Sequence, residues 1–156
     1  MTAPENDAPG VITFPPVIFA IFFVIGYITD LASPVALEAR DIRHIAAAAT
    51  IGGAVALVLW AGMRFVRART HVDVRKPATA LVTDGPYRLS RNPMYIAASL
   101  LYAGVALWLS LVWTLMALIP CLVVLHYGVI AREERYLEAK FGQRYLDYRT
   151  RVRRWL

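Results

Sequence analysis

The chain is 156 residues long, 58% hydrophobic and only 18% charged, with nine glycines, nine prolines and one cysteine. That length suits one domain, and the composition excludes collagen-like, disordered and disulfide-rich classes. A net charge of +6 with a mean hydropathy of +0.50 fits a membrane protein with a basic cytoplasmic face better than a nucleic-acid binder.

Residues 1–14 read as a flexible N-terminus. Residues 1–16 carry Glu5 and Asp7 but no Lys or Arg, whereas a secretory signal needs a basic start. The first apolar run, Val17–Leu31, follows Pro15 and Pro16 and holds no charge before Asp30. The second, Ile45–Met63, is 19 residues without a charge. Its small residues Ala46–Ala49, Gly52 and Gly53 suit close helix packing. Residues 15–63 therefore read as two transmembrane helices, and 64–94 as a polar loop. From Tyr95 to Ala131 there are 37 residues without Asp, Glu, Lys or Arg. As one helix that stretch measures about 55 Å, nearly twice the ~30 Å hydrocarbon core. It must fold back near Trp108–Leu111 as a helical hairpin, with Trp108 and Trp113 as interface anchors. Pro120 is expected to kink the last arm.

Residues 132–156 carry apolar or aromatic side chains at Leu137, Phe141, Tyr145, Tyr148, Val152 and Trp155, spaced by three and four. This is an amphipathic helix on the cytoplasmic interface, with a break expected at Gly142. The fold class is thus all-α: a polytopic membrane protein of about four transmembrane helices plus this C-terminal helix. Of the 17 basic residues, 15 lie in 64–94 and 132–156. The positive-inside rule puts both regions, and both termini, in the cytoplasm, facing anionic phospholipid. Basic residues that flank bilayer spans argue against nucleic acid as a partner.

Two segments carry candidate chemistry. Asp84-Gly85-Pro86 is a turn signal, and Asn92-Pro93 before an apolar run is a helix start with Asn92 as N-cap. Such a start suits an anion, and Arg91 beside it offers a charge-assisted bond. Tyr87 and Tyr95 present aromatic faces to a cation. A plain alternative is a well-capped helix with a snorkelling arginine. Glu133 and Glu134 begin where the last apolar stretch ends, a position the helix dipole opposes, and so invite a ligand such as an amine or hydroxyl. The alternative is neutralisation by Arg132 and Arg135. His126, seven residues before Glu133, reads first as a packed or hydrogen-bonded core residue. The histidines lack metal-ligand spacing, and Cys121 reads as packing. Together these groups match a zwitterionic ligand with an additional cation.

The string LVTDGPYRLSRNPMY, an uncharged hairpin, then EERYLEAKFGQRYLDYRTRV resembles the integral-membrane methyltransferases: isoprenylcysteine carboxyl methyltransferases and phospholipid N-methyltransferases, here in a bacterial short form. Their pattern of Arg-Asn-Pro-x-Tyr or Arg-His-Pro-x-Tyr followed by Glu-Glu appears as Arg91–Tyr95 and Glu133-Glu134. The resemblance covers about residues 70–155. It implies S-adenosylmethionine as cofactor, S-adenosylhomocysteine as product, and an acceptor that enters sideways from the bilayer. Carried over, the cofactor contacts are Thr79, Ala80, Leu81, Val82, Gly85, Tyr87, Arg91, Asn92, Pro93, Met94, Tyr95 and Glu133. The carboxyl methyltransferases have His where this chain has Thr79 and Asn92. They also place an acceptor-binding arginine where it has Val129; Arg132 is the candidate substitute. Abundant Arg and Ala fit a bacterium with a GC-rich genome, hence its cell membrane.

A carboxylate acceptor needs no base, whereas an amine must be neutral, and Glu134 is the candidate to take its proton. The acceptor class stays open between prenylcysteine carboxylate, phospholipid amine, another isoprenoid lipid and a hydrophobic thiol. Alternatives are a non-catalytic membrane scaffold, a lipid or sterol reductase sharing the fold, and an efflux subunit. The last would need an ion-coupling charge deep in a span, and only Asp30 comes near.

Overall fold

The computed structural model describes residues 10–35, 37–71, 73 and 75–156. Its regular elements are all helical: α1 (Pro15–Ala32), α2 (Arg40–Arg67), α3 (Pro93–Trp108), α4 (Val112–Leu125), α5 (Ala131–Phe141) and α6 (Gln143–Arg151). A 3₁₀ turn spans Gly85–Arg88, and a π-helical turn, His126–Ile130, joins α4 to α5. Three helices are long and apolar enough to cross a membrane: α1, α2 and the continuous Val112–Phe141. Of the four spans read from the sequence, α3 is the shorter one at 16 residues, about 24 Å against a ~30 Å core.

The expected hairpin turn falls at Leu109–Leu111, where Ser110 takes φ +62°. Helix runs through Pro120 without a break, and the helical pitch changes at His126–Ile130. Gly142, at φ +54°, separates α5 from α6 as its sequence foretold. Of the N-terminal segment expected to be flexible, residues 10–14 contact the rest of the protein. The Ile12 N–H donates to the Gly128 carbonyl at 3.3 Å, Arg132 Nη1 donates to the Gly10 carbonyl at 3.0 Å, and the Arg75 guanidinium stacks on Phe14. The rest of that N-terminal segment, residues 1–9, lies outside the described residues.

Helix α2 packs along α3, and α1 along α4. Small side chains set both distances. Ala47, Ala54 and Ala61, one heptad apart, are the buried stripe of α2, and Gly104 of α3 meets it at Ile51 and the Ala47 carbonyl. Gly52 and Gly53, expected at that contact, face open space instead. Between α1 and α4, Gly26 lies so close to Thr114 that a Cβ would sit 2.4 Å from its Cα. Gly26→Val is therefore expected to lower stability by about 2 kcal/mol or more, read from denaturant unfolding in detergent.

At the end of the bundle away from the basic segments, Asp30 of α1 caps α4. Its carboxylate accepts the Trp113 N–H at 3.0 Å and, at Thr114, the N–H at 2.9 Å and the hydroxyl at 2.8 Å. Trp113 Nε1 donates to the Ser33 carbonyl, and Arg43 Nη1 to Ser110 Oγ at 2.8 Å. At the other end, the apolar face of α6 turns onto the protein. Tyr145, Tyr148 and Val152 are buried with Tyr87, Val82 and Ala61. The amphipathic stripe expected at the interface thus packs, at these three positions, on the matching apolar surface of the 80–90 loop. Helices α1 and α2 share no broad packed face, which leaves a gap between them over α3.

Candidate active site

A cleft of about 650 Å³ occupies that gap and reaches the basic end of the bundle. Between the helices its walls are apolar: Phe19, Ala20 and Phe23 of α1, Val58 of α2, and Leu101 and Val105 of α3. Its end at the basic side of the bundle is polar, lined by Tyr87, Arg91, Asn92, Glu133, Glu134, Tyr145 and Tyr148.

The two motifs meet there. Pro93 starts α3, which aims Tyr95 across at α5, and the Tyr95 hydroxyl donates to Glu133 Oε2 at 2.8 Å. One residue on, Glu134 accepts hydrogen bonds from Arg154 and is ion-paired with Arg91. Arg154 grips it with Nε (3.1 Å) and Nη2 (2.5 Å), while Arg91 reaches Oε1 with Nη2 alone at 3.2 Å. Arg154 Nη1 lies 3.1 Å from His126 Nε2; as the partner of an obligate donor, that nitrogen accepts. His126 is thus hydrogen-bonded into the polar network around Glu134, in line with the expectation of a packed or hydrogen-bonded residue.

Three buried polar atoms here have no partner: Arg91 Nε, Arg91 Nη1 and the Tyr87 hydroxyl. Buried donors are almost always satisfied, so unpartnered ones lining a cleft mark where a ligand's oxygens belong. Burial pushes the Tyr87 hydroxyl pKa up, and the nearby Glu133 and Tyr148 add to the shift. Tyr145 is pushed up to about 12 by burial, with Glu134 adding and Arg91 opposing. Charged residues 132–135 end the apolar stretch, and Glu133 stands among them, half-buried on the cleft wall. Burial pushes its carboxyl up to about 7, against the Tyr95 hydrogen bond and with the Glu134 charge.

Ala80, Leu81, Val82, Tyr87, Arg91, Asn92, Pro93, Met94, Tyr95, Glu133 and Glu134 all line the cleft. Three other sequence candidates do not. Thr79 is exposed, and its hydroxyl donates to the Arg69 carbonyl. Gly85, at φ +60°, packs against Arg64. Arg132 is exposed and turned to Gly10, so it does not take the place of the arginine missing at Val129, itself fully buried in the π turn. Asn92 precedes α3 but does not cap it with its side chain; Nδ2 donates instead to the Arg154 carbonyl at 2.9 Å. Ser90 Oγ donates to the same carbonyl, and the Arg91 N–H to that of Arg153. The C-terminal tail, missed from sequence, thus completes the site. No spacing singles out Arg154 from its basic neighbours, and the carbonyls that bind the loop belong to every residue type.

An uncharacterized protein of Haemophilus influenzae is 45% identical over 65 residues, which span 40% of this chain and all of that protein. No solved structure matches. The model of the phospholipid methyltransferase family matches residues 42–144, well over half of the sequence, and the chain belongs to that family.

Proposed function

We propose that the protein transfers a methyl group from S-adenosylmethionine to a lipophilic acceptor in the bilayer, an isoprenylcysteine-type carboxylate or a phospholipid amine. The observation that carries this reading is one continuous cleft, polar with spare donors at the basic end of the bundle and apolar where it runs between α1 and α2. Family membership favours this over a scaffold or a reductase. Both termini then face the cytoplasm, in keeping with the basic segments at one end, and anionic lipid surrounds them.

The residues present fit the cofactor. The free Arg91 Nε–H and Nη1–H suit a carboxylate, Glu133 suits an ammonium, and the Tyr87 hydroxyl suits a ribose or purine edge. When bound, the cofactor supplies a carbon already activated by its sulfonium. The protein's part is to orient the reactants and exclude water. Both oxygens of Glu134 are already engaged by guanidiniums, Arg154 on both and Arg91 on one. Asp73, also on the cleft wall, is bound by Arg75. Glu133 is the cleft carboxylate without a guanidinium partner among the described residues. A carboxylate acceptor needs none of them; an amine would look to Glu133.

The test is incubation of the purified protein with methyl-labelled S-adenosylmethionine and total membrane lipid. Label in an extractable lipid is the expected result; absence of both transfer and cofactor binding would overturn the reading. The raised Glu133 carboxyl adds a sign. Below about pH 7 it holds its proton and cannot pair with an ammonium, so affinity for S-adenosylmethionine is expected to rise with pH through about 7. In Glu133→Gln, calorimetry should find weaker binding without that rise.

A further inference from the structure

We propose that Arg154 is a positioning residue: by occupying the fork of Glu134 it keeps Arg91 from closing on that carboxylate, so that Arg91 can receive an anionic group of the ligand. Arg154 lies beyond the residues the family model matches. This inference rests on the reading of the cleft as a cofactor site.

The argument is one of competition for two oxygens. A guanidinium and a carboxylate prefer two parallel hydrogen bonds. Arg154 takes that geometry, with Nε on Oε1 and Nη2 on Oε2. Arg91 is left with a single ion-pair contact through Nη2 at 3.2 Å, and its Nε and Nη1 stay buried and unpartnered. The cluster of Arg91, Arg154 and Glu134 carries one net positive charge at the polar end of the cleft. Without the Arg154 guanidinium, Glu134 has one suitor, Arg91, whose fork would close on it. The cluster would then be neutral, and the donors aimed at the ligand would be spent. The Arg154 main-chain carbonyl, which holds Ser90 and Asn92, survives any substitution of the side chain. The loop anchor and the charge effect are therefore separable.

Isothermal titration in nanodiscs tests this with two probes. S-adenosylhomocysteine carries the amino-acid carboxylate; methylthioadenosine shares the nucleoside and thioether but lacks it. Arg154→Gln is expected to weaken S-adenosylhomocysteine about tenfold or more while methylthioadenosine stays within about twofold of wild type. Arg154→Lys, a point charge that cannot fill the fork, should fall between. In a Glu134→Gln background, where Arg91 has no carboxylate to close on, Arg154→Gln should add little. Unchanged affinity in Arg154→Gln, equal weakening of both probes, or additive effects in the double variant would overturn the proposal. Wild-type protein that binds neither probe would instead remove the cofactor reading, and this inference with it.

Discussion

Replacing Arg91 with methionine is expected to lower methyl transfer on the order of a hundredfold and to weaken S-adenosylmethionine binding with it. Two of the three guanidinium nitrogens of Arg91 are buried without partners on the cleft wall, and the side chain is only 10% exposed. Such donors are costly to bury and justify their place when a ligand satisfies them. Methionine keeps much of the stem's volume and removes the charge. Glu134 stays paired through Arg154, so no orphaned carboxylate confuses the result. Binding isotherms with a thermal melt check the expectation: affinity falls and the melt barely moves. Affinity within about twofold of wild type would take Arg91 out of the site.

Asp30→Ala acts at the opposite end and on stability. Two N–H groups of the first turn of α4 and the Thr114 hydroxyl all lose their acceptor. An N-cap is worth about 1 kcal/mol, and a buried donor left unsatisfied about 1–3 kcal/mol, so a loss near 3 kcal/mol is expected. Equilibrium unfolding in mixed micelles measures it. Turnover per folded molecule should hold, because Asp30 is not among the residues lining the cleft. A loss under about 1 kcal/mol would mean that water replaces the carboxylate there.

Much of this was legible in the sequence, and the reasons differ residue by residue. Uncharged length announced α1, α2 and the hairpin, because hydrocarbon tolerates so few charges. Gly142 announced the α5–α6 break, because a positive φ is cheap only without a side chain. The motifs at Arg91–Tyr95 and Glu133-Glu134 pointed to each other across the hairpin, and Tyr95 and Glu133 are hydrogen-bonded. What stayed hidden depends on tertiary pairing. Asp30 looked like a span ending, yet it caps a helix more than 80 residues away. Glu134 looked like a base until its two arginines appeared. What the C-terminal stripe packs on, Tyr87 and Val82, stayed hidden because periodicity tells that a face is apolar, not what covers it.

The gap between α1 and α2 has a kinetic consequence. For an acceptor seated there, the tail never leaves hydrocarbon, so no methylene meets water during exchange. Desorption from a membrane costs about 0.8 kcal/mol for each methylene exposed, and a lateral route avoids that cost entirely. Residence of the methylated product is then governed by its headgroup alone, and chain length should leave the off-rate nearly untouched.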